Sequence, residues 1–443
     1  MINKLSKLLK GEEIQKYFFN TSWMMGEKIF TMGIAMVVSI FVARYLGPED
    51  YGILSYAISI TSLFAIATHM GLSGLAVREL VNNPDDHEEL MGTIYGIKLL
   101  AALFAMAGFL VFLHYSGDSS EIEFWVLLIV SGTILLKPFE VFDFWFQAKV
   151  KAKYSSIVRV ISTIILSVLK IGLVVWGAQL LLFAGAYLFQ ALLLGILFII
   201  FFKRKARIPL ISWRFNFSRA KLLLSQGWMI MAGAIFGMVY LKIDQVMLRW
   251  LLDAKEVGVY SVASQLSEAW YFIPRMIVAS LFPKLLELKK KNEAQFKKRL
   301  QQLLDLLFGI ALSLALIVTF ISQPVIDFLY GTEFEKAALI LSIHIWAGVF
   351  IFMRSAFSKW ILVEDAIVFS MITQGAGALA NIVLNIILIP LYGGLGAAIA
   401  TILSYAVASY FILLLFKKSR PIFWMMTKSL IAPIRYSSQI FSK

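Results

Sequence analysis

The chain contains no cysteine. That excludes disulfides, thiolate metal sites and a cysteine nucleophile. Charge is scarce too. Only 15% of the 443 residues are Asp, Glu, Lys or Arg, against roughly 25% in a soluble domain. Several chemistries lack their signatures. No G-x-x-x-x-G-K-[ST] phosphate loop occurs, so the chain carries no P-loop ATPase. No Asp-x-Asp pair occurs of the kind that holds a sugar-nucleotide metal. "HEEL" at 87–90 lacks the second histidine of a zinc motif, and its setting "NPDDHEEL" reads as a solvated loop. No metal ligand set is assigned. The start, "MINKLSKLLKGEEIQKYFF", has no small-residue cleavage site and reads as a cytoplasmic amphipathic lead-in.

What the chain does have is hydrophobic length. Hydrophobic residues make up 60% of it, which marks a polytopic membrane protein. A span needs about 20 mostly apolar residues. About twelve stretches qualify, near 17–43, 52–72, 91–114, 124–147, 154–176, 179–202, 221–248, 257–283, 300–322, 337–362, 366–390 and 394–416. Tight turns are expected at 177–179 and 391–393. With the N-terminus inside, 29 of the 41 Lys and Arg fall on inside segments and only 4 (Arg44, Arg249, Lys255, Lys336) outside. Such a bias places both termini in the cytoplasm. The net charge of +14 is then a topology signal, and nucleic acid is not a partner. The outside loops are short, roughly 3–15 residues, which leaves no room for an outside catalytic domain.

The string "RYLGPEDYGILSYA" (44–57) returns as "RWLLDAKEVGVYSVA" (249–263). Arg44 aligns with Arg249, Gly52 with Gly258 and Ser55 with Ser261. Each copy follows the first span of a six-span half. Six spans between copies make the repeat parallel. The expected architecture is an all-α membrane protein of two six-helix lobes with a parallel pseudo-two-fold repeat. Residues 1–202 form the N-terminal lobe, 203–220 a basic cytoplasmic linker, and 221–443 the C-terminal lobe with a basic tail. That is a transporter design, in which lobes rock about a central cavity.

Thirteen charged residues fall inside spans: Glu27, Lys28, Lys98, Lys137, Glu140, Asp143, Arg159, Lys170, Lys242, Asp244, Glu268, Arg275 and Arg354. Each costs about 2.5–3.5 kcal/mol at a helix centre, so many must pair or face a wet interior. Eight are positive, so a shared cavity is net cationic. Lys28, Lys98, Lys137, Arg159, Lys170, Arg275 and Arg354 are its candidate anion-binding residues. Glu27, Glu140, Asp143 and Glu268 are candidate cavity or pairing acids, and a salt-bridge network is the competing reading for span four. Lys98, Arg159 and Lys242 have an alternative reading as snorkelling side chains. Helical spacing aligns Gln226, Gly233, Gly237, Tyr240 and Asp244 on span seven. It likewise aligns Gln374, Gly377, Asn381 and Asn385 on span eleven, and Ser261, Gln265, Glu268 and Arg275 on span eight.

The strings "VARYLGPEDYGILSYA", "GLSGLAVREL", "FDFWFQAKVKAKY", "IDQVMLRWL", "EVGVYSVASQLSEAWYFIP" and "SLFPKL" fall in both lobes. Through them the chain resembles polysaccharide and O-antigen flippases of the multidrug/oligosaccharidyl-lipid/polysaccharide exporter superfamily. The resemblance implies a non-enzymatic carrier in the bacterial cytoplasmic membrane. It would move an undecaprenyl-diphosphate-linked glycan from inner to outer leaflet by alternating access, for O-antigen, lipopolysaccharide or other surface polysaccharide. A polysaccharide polymerase and chain-length proteins are implied partners besides membrane lipid. Antiport of H+ or Na+ is implied in place of any cofactor, with Asp244, Asn381 and Asn385 as candidate ion ligands. Two rivals remain. A multidrug antiporter of the same fold would favour an acidic cavity for cationic drugs. A membrane polymerase or glycosyltransferase would need the outside loop or acidic motif that the chain lacks.

Overall fold

A computed structural model describes residues 12–116, 120–206, 208–363, 367–432 and 435. The first part of the lead-in and the last part of the basic tail lie outside these. The described residues fold as helices without strands. The helices are α1 (Glu12–Ala65), α2 (Leu72–Asn82), α3 (His87–Tyr115), α4 (Glu121–Ser131), α5 (Glu140–Ala148), α6 (Ala152–Trp176), α7 (Leu180–Ala206) and α8 (Phe217–Leu251). They continue with α9 (Ala254–Glu268), α10 (Phe272–Lys291), α11 (Glu293–Leu329), α12 (Lys336–His344), α13 (Ala347–Val363), α14 (Ile367–Tyr392), α15 (Gly394–Ser409) and α16 (Arg420–Leu430).

Among the described residues, ten helical stretches are long and apolar enough to cross a membrane. The first, Ser22–Asn82, runs 61 residues. Straight, it would reach about 90 Å, roughly three times the thickness of a hydrocarbon core. It bends at Gly47, whose φ is +71° and which precedes Pro48, so it makes two passes. A further pass comes from α9 and α10 together. Among the described residues the passes number twelve, as the hydropathy implied. The tight turns come where expected: Gly177 and Gly393 have φ of +72° and +59°, a backbone that glycine adopts without strain. Side-chain caps start three other helices. Ser120 accepts from Glu123 N, Asp253 from Glu256 N and Asn292 from Gln295 N.

Two spans are less regular than their hydropathy suggests. Span four passes through a 3-10 stretch, Gly132–Phe139, that contains Pro138. Span eight breaks at 269–271, between α9 and α10. Arg275 therefore lies on a new helix, and the expected single stripe from Ser261 to Arg275 is interrupted. Pro274, in the first turn of α10, lacks the N–H that a continuous helix would require there. A third correction concerns "NPDDHEEL". A helix begins at His87, and the acids are engaged: Arg219 pairs with Asp86 at 2.7 Å and with Glu89 at 2.9 Å.

The chain divides into two compact units, Met1–Leu46 with Ile60–Met231, and Gly47–Ser59 with Ala232–Lys443. The first has a core of Leu72, Leu80, Met91, Ile94, Phe142, Trp145, Phe146 and Phe202. The basic connector after α7 packs onto this core. Trp213 lies 5.4 Å from Phe142, ring to ring, and Arg214 N donates to Glu88 O. The second unit has a core of Leu300, Leu303, Leu307, Phe352, Phe357, Leu413 and Met426. Large apolar side chains such as Phe104, Trp176, Phe320 and Phe328 are turned outward, 77–82% exposed. That is the expected surface of a protein whose solvent is lipid.

The small unit-two segment 47–59 joins α9 by backbone contact. A Cβ on Gly52 would come 1.7 Å from Ala254 O, and one on Gly258 1.9 Å from Pro48 O. Around this seam Tyr51 donates to Gln265 Oε1 at 3.0 Å, Trp250 Nε1 donates to Tyr56 at 3.1 Å, and Ser59 donates to Gln245.

Candidate functional site

In the first unit six charged residues of spans one, three, four and five form two ion-pair networks. Glu140 stands at the centre of one. Lys98 Nζ lies 3.1 Å from Glu140 Oε2, and Lys137 Nζ 3.5 Å from Oε1. Lys98 also donates to Thr68 O at 3.0 Å and is fully buried. It does not snorkel, and in this conformation its ammonium is shielded from ligand. The second network centres on Asp143, which accepts from Arg159 at 2.5 Å and from Gln147 at 2.9 Å. Arg159 also reaches Glu27 at 3.7 Å, so the snorkelling reading fails for it too. Lys170 is buried with its ammonium 3.8 Å from the Tyr187 ring centroid, a cation–π contact. Lys28 is exposed and has no ion pair among the described residues. Of the five expected first-lobe cations, four are thus held by protein groups.

In the second unit, spans seven and eleven meet along their polar stripes. Gly233 and Gly237 leave room for Gln374, whose Oε1 lies 2.8 Å from where a Gly237 Cβ would stand. Farther along, Asp244 is 4% exposed. Asn385 donates to its Oδ1 at 2.6 Å, and Thr401 and Tyr260 donate to its Oδ2 at 2.6 and 2.7 Å. Asn381 and Asn385 are fully buried, and Asn385 donates to Asn381 Oδ1 at 3.3 Å. Asn385 Oδ1 is buried without a hydrogen-bond partner. Gln226, placed on the same stripe by spacing, instead accepts from Arg78 in the first unit. Tyr260 and Thr401 were missed by sequence reasoning. Tyr260 lies in the repeated string, yet its hydroxyl partner is fixed only when α9 folds back beside α8.

Glu268, at the end of α9, has Lys242 and Asp244 as its charged neighbours. Beyond the break in span eight lies a cavity of about 430 Å³, entirely within the second unit, lined by Arg275, Arg354, Gln374 and tyrosines among others. A second, mostly apolar groove of about 680 Å³ runs between α10 and α11. Asp305 is buried. It accepts from Gln301 and Ser429 at 2.8 Å each and pairs with Arg435.

Twelve helical passes among the described residues, carrying ion pairs and polar stripes, define a multi-pass membrane transporter. The chain belongs to the polysaccharide biosynthesis protein family, whose profile matches residues 18–289; a MatE profile matches residues 229–387. It is 23% identical over 399 residues to the probable flippase AglR of Haloferax volcanii, covering 87% of this chain and 80% of that one. It is 24% identical over 331 residues to a putative O-antigen transporter of Shigella flexneri, covering 71% and 77%. Its fold is similar to that of the lipid II flippase MurJ in an inward closed conformation, with TM-score 0.71, 18% identity and coverage of 94% and 93%. A multidrug resistance MATE family transporter in an inward-facing conformation gives TM-score 0.67, 13% identity and coverage of 91% and 95%. The resemblance to polysaccharide flippases read from the sequence is borne out.

Proposed function

We propose that the protein flips a diphosphate-linked glycan, carried on undecaprenol, from the inner to the outer leaflet of a bacterial cytoplasmic membrane, with both termini cytoplasmic. The observation that carries this reading is the family match, which runs from the first span into the eighth. The relatives' names support it. So does the chemistry: a diphosphate is an anion and a glycan needs polar walls, whereas the polyprenyl chain can stay in lipid. A multidrug antiporter for cations is disfavoured by the basic second-unit cavity, whose lining includes two arginines and, among the described residues, no carboxylate. The product would feed surface polysaccharide assembly, with a polymerase and chain-length proteins as partners.

Transport is coupled to an ion in this reading, and Asp244 is the proposed ligand. A sodium ion prefers hard oxygen ligands. Asp244, Asn381, Asn385 and Thr401 offer such a set, and the orphaned Asn385 Oδ1 is an oxygen without a protein donor. A proton on Asp244 is the second form of the same coupling. Binding the ion more tightly in one conformation would bias the alternation.

The test is reconstitution into vesicles that hold a fluorescent undecaprenyl-diphosphate oligosaccharide, with a membrane-impermeant lectin reporting exposed glycan. Flipping well above that of protein-free vesicles is expected. A rate equal to theirs, with folded protein present, would sink the proposal.

A further inference from the structure

The apolar groove between α10 and α11 is separate from the arginine cavity, although both adjoin the break at 269–271. Tyr271 and Arg275 line the cavity, whereas Trp270 and Ile273 wall the groove. The floor of the groove is one face of α11. Gln302, Leu306, Gly309, Ser313 and Ile317 line it at helical spacing. Two of these are small. A Cβ at Gly309 would meet nothing within 4 Å, so the missing side chain leaves a hollow rather than a tight contact. Leu306 and Ile317, on either side of it, are 49% and 57% exposed. The hollow is therefore open laterally, and at this depth its surroundings are lipid.

The length of the groove is informative. The stretch of α11 from Gln302 to Ile317 covers about 22 Å along the helix axis. Half a bilayer, headgroups included, measures about 20–22 Å. The groove is thus one leaflet deep. Its polar end carries an excess of positive charge. Arg299 donates to Gln302 Oε1 at 3.0 Å, is exposed and has no ion pair among the described residues. Asp305, also in the lining, pairs with Arg435. Two guanidiniums and one carboxylate leave a single positive charge at the mouth, the complement of one phosphodiester. A guanidinium is also the side-chain group that best matches phosphate oxygens. In the orientation proposed above, α11 begins at the cytoplasmic side, so this end lies at the headgroups of the inner leaflet.

We propose that the groove holds a resident glycerophospholipid of the inner leaflet. One acyl chain lies along Leu306, Gly309, Ser313 and Ile317 beside Trp270, and the phosphate sits on Arg299. A groove one leaflet long with one net charge at its mouth fits this lipid. An undecaprenyl chain is longer than the groove, and a helix from a second copy would bring no phosphate to Arg299. The site is independent of the flippase reading and takes no part of the transported glycan.

The experiment uses the purified full chain, delipidated in detergent. Native mass spectrometry counts retained lipid, and thermal unfolding reads the stabilisation that a bound lipid confers. The probes are phosphatidylglycerol, diacylglycerol as the control without a phosphate, and undecaprenyl phosphate. One phosphatidylglycerol should be retained and should raise the melting temperature, with diacylglycerol held about tenfold more weakly or less. Arg299→Gln should weaken phosphatidylglycerol by about tenfold. Gly309→Leu, which fills the hollow, should remove the retained lipid, and Ser313→Leu repeats that test one turn on should the first variant fail to fold. No retained phosphatidylglycerol, or a count that Arg299→Gln and the two leucine variants leave unchanged, would mean ordinary surrounding lipid only and would overturn the proposal. Tighter retention of undecaprenyl phosphate would overturn it in favour of a substrate tail. A doubled mass that the leucine variants return to a single chain would overturn it in favour of a second copy.

Discussion

Gly52 and Gly258, the paired glycines of the repeated string, sit backbone to backbone: a Cβ on either would run into the main chain of the other's segment. A methyl on Gly52 meets Ala254 O, one on Gly258 meets Pro48 O, and Pro48 and Ala254 are themselves four residues before their respective glycines. Both obstacles are main-chain atoms, so no side chain can swing aside. Gly52→Ala or Gly258→Ala should destabilise this packed seam by about 1–3 kcal/mol, the usual cost of overpacking. Thermal unfolding in detergent reads the loss, and a melting curve unchanged in both variants would contradict the geometry.

The Lys98–Glu140 pair gives a second prediction. Lys98 is fully buried and depends on Glu140 for its countercharge. Glu140→Gln should cost about 3 kcal/mol or more, because it leaves a buried ammonium with only Thr68 O. Lys98→Met should cost less, since Glu140 keeps Lys137. The double variant should recover most of the loss. A double-mutant cycle by thermal unfolding measures it, and strict additivity would show that the two do not couple.

Lys28 is exposed and makes no ion pair among the described residues. Lys28→Ala should cut flipping by roughly tenfold, and Lys28→Arg should retain part of it, the loss expected for one charge-assisted contact. Normal flipping by Lys28→Ala, at equal protein level, would show that the residue is only tolerated.

Asp244→Asn should abolish the response to an imposed proton or sodium gradient while leaving slow downhill flipping. Thr401→Val, which removes one oxygen of the set, should weaken the response without eliminating it. A full gradient response in Asp244→Asn vesicles would reject coupling at this carboxylate.

The lack of cysteine makes topology directly testable. Lys205→Cys, near the end of α7, should be labelled by a membrane-impermeant maleimide only after the cytoplasmic side is opened. Labelling from outside intact cells would invert the assigned orientation.

The number of passes and the all-helical class were legible in the sequence because lipid forces long apolar runs, and those survive any detail of packing. The stripes on spans seven and eleven were legible for a similar reason: spacing puts Gly233, Gly237 and Asp244 on one face and Gln374, Asn381 and Asn385 on another, and these faces do meet. Pairing across helices was not legible. From the sequence Lys98 reads as a cavity cation, with snorkelling as the alternative, because nothing in its own helix shows that Glu140, 42 residues on, will be beside it. The burial of Asp305 is equally hidden in its own helix, since Ser429 arrives from α16. The break at 269–271 was hidden because its residues are as apolar as the helices on either side, and only Pro274 signals it.

The docking of α16 has a consequence for biogenesis. Asp305 is buried by Ser429, which lies 124 residues farther along the chain. At bacterial and eukaryotic elongation rates of about 5–20 residues per second, that interval lasts roughly 6–25 s. Throughout it the carboxylate has no Ser429 to hold it and relies on Gln301 of its own helix. Helix α11 is therefore made well before this contact can close, and the second unit is finished only when α16 folds back upon it.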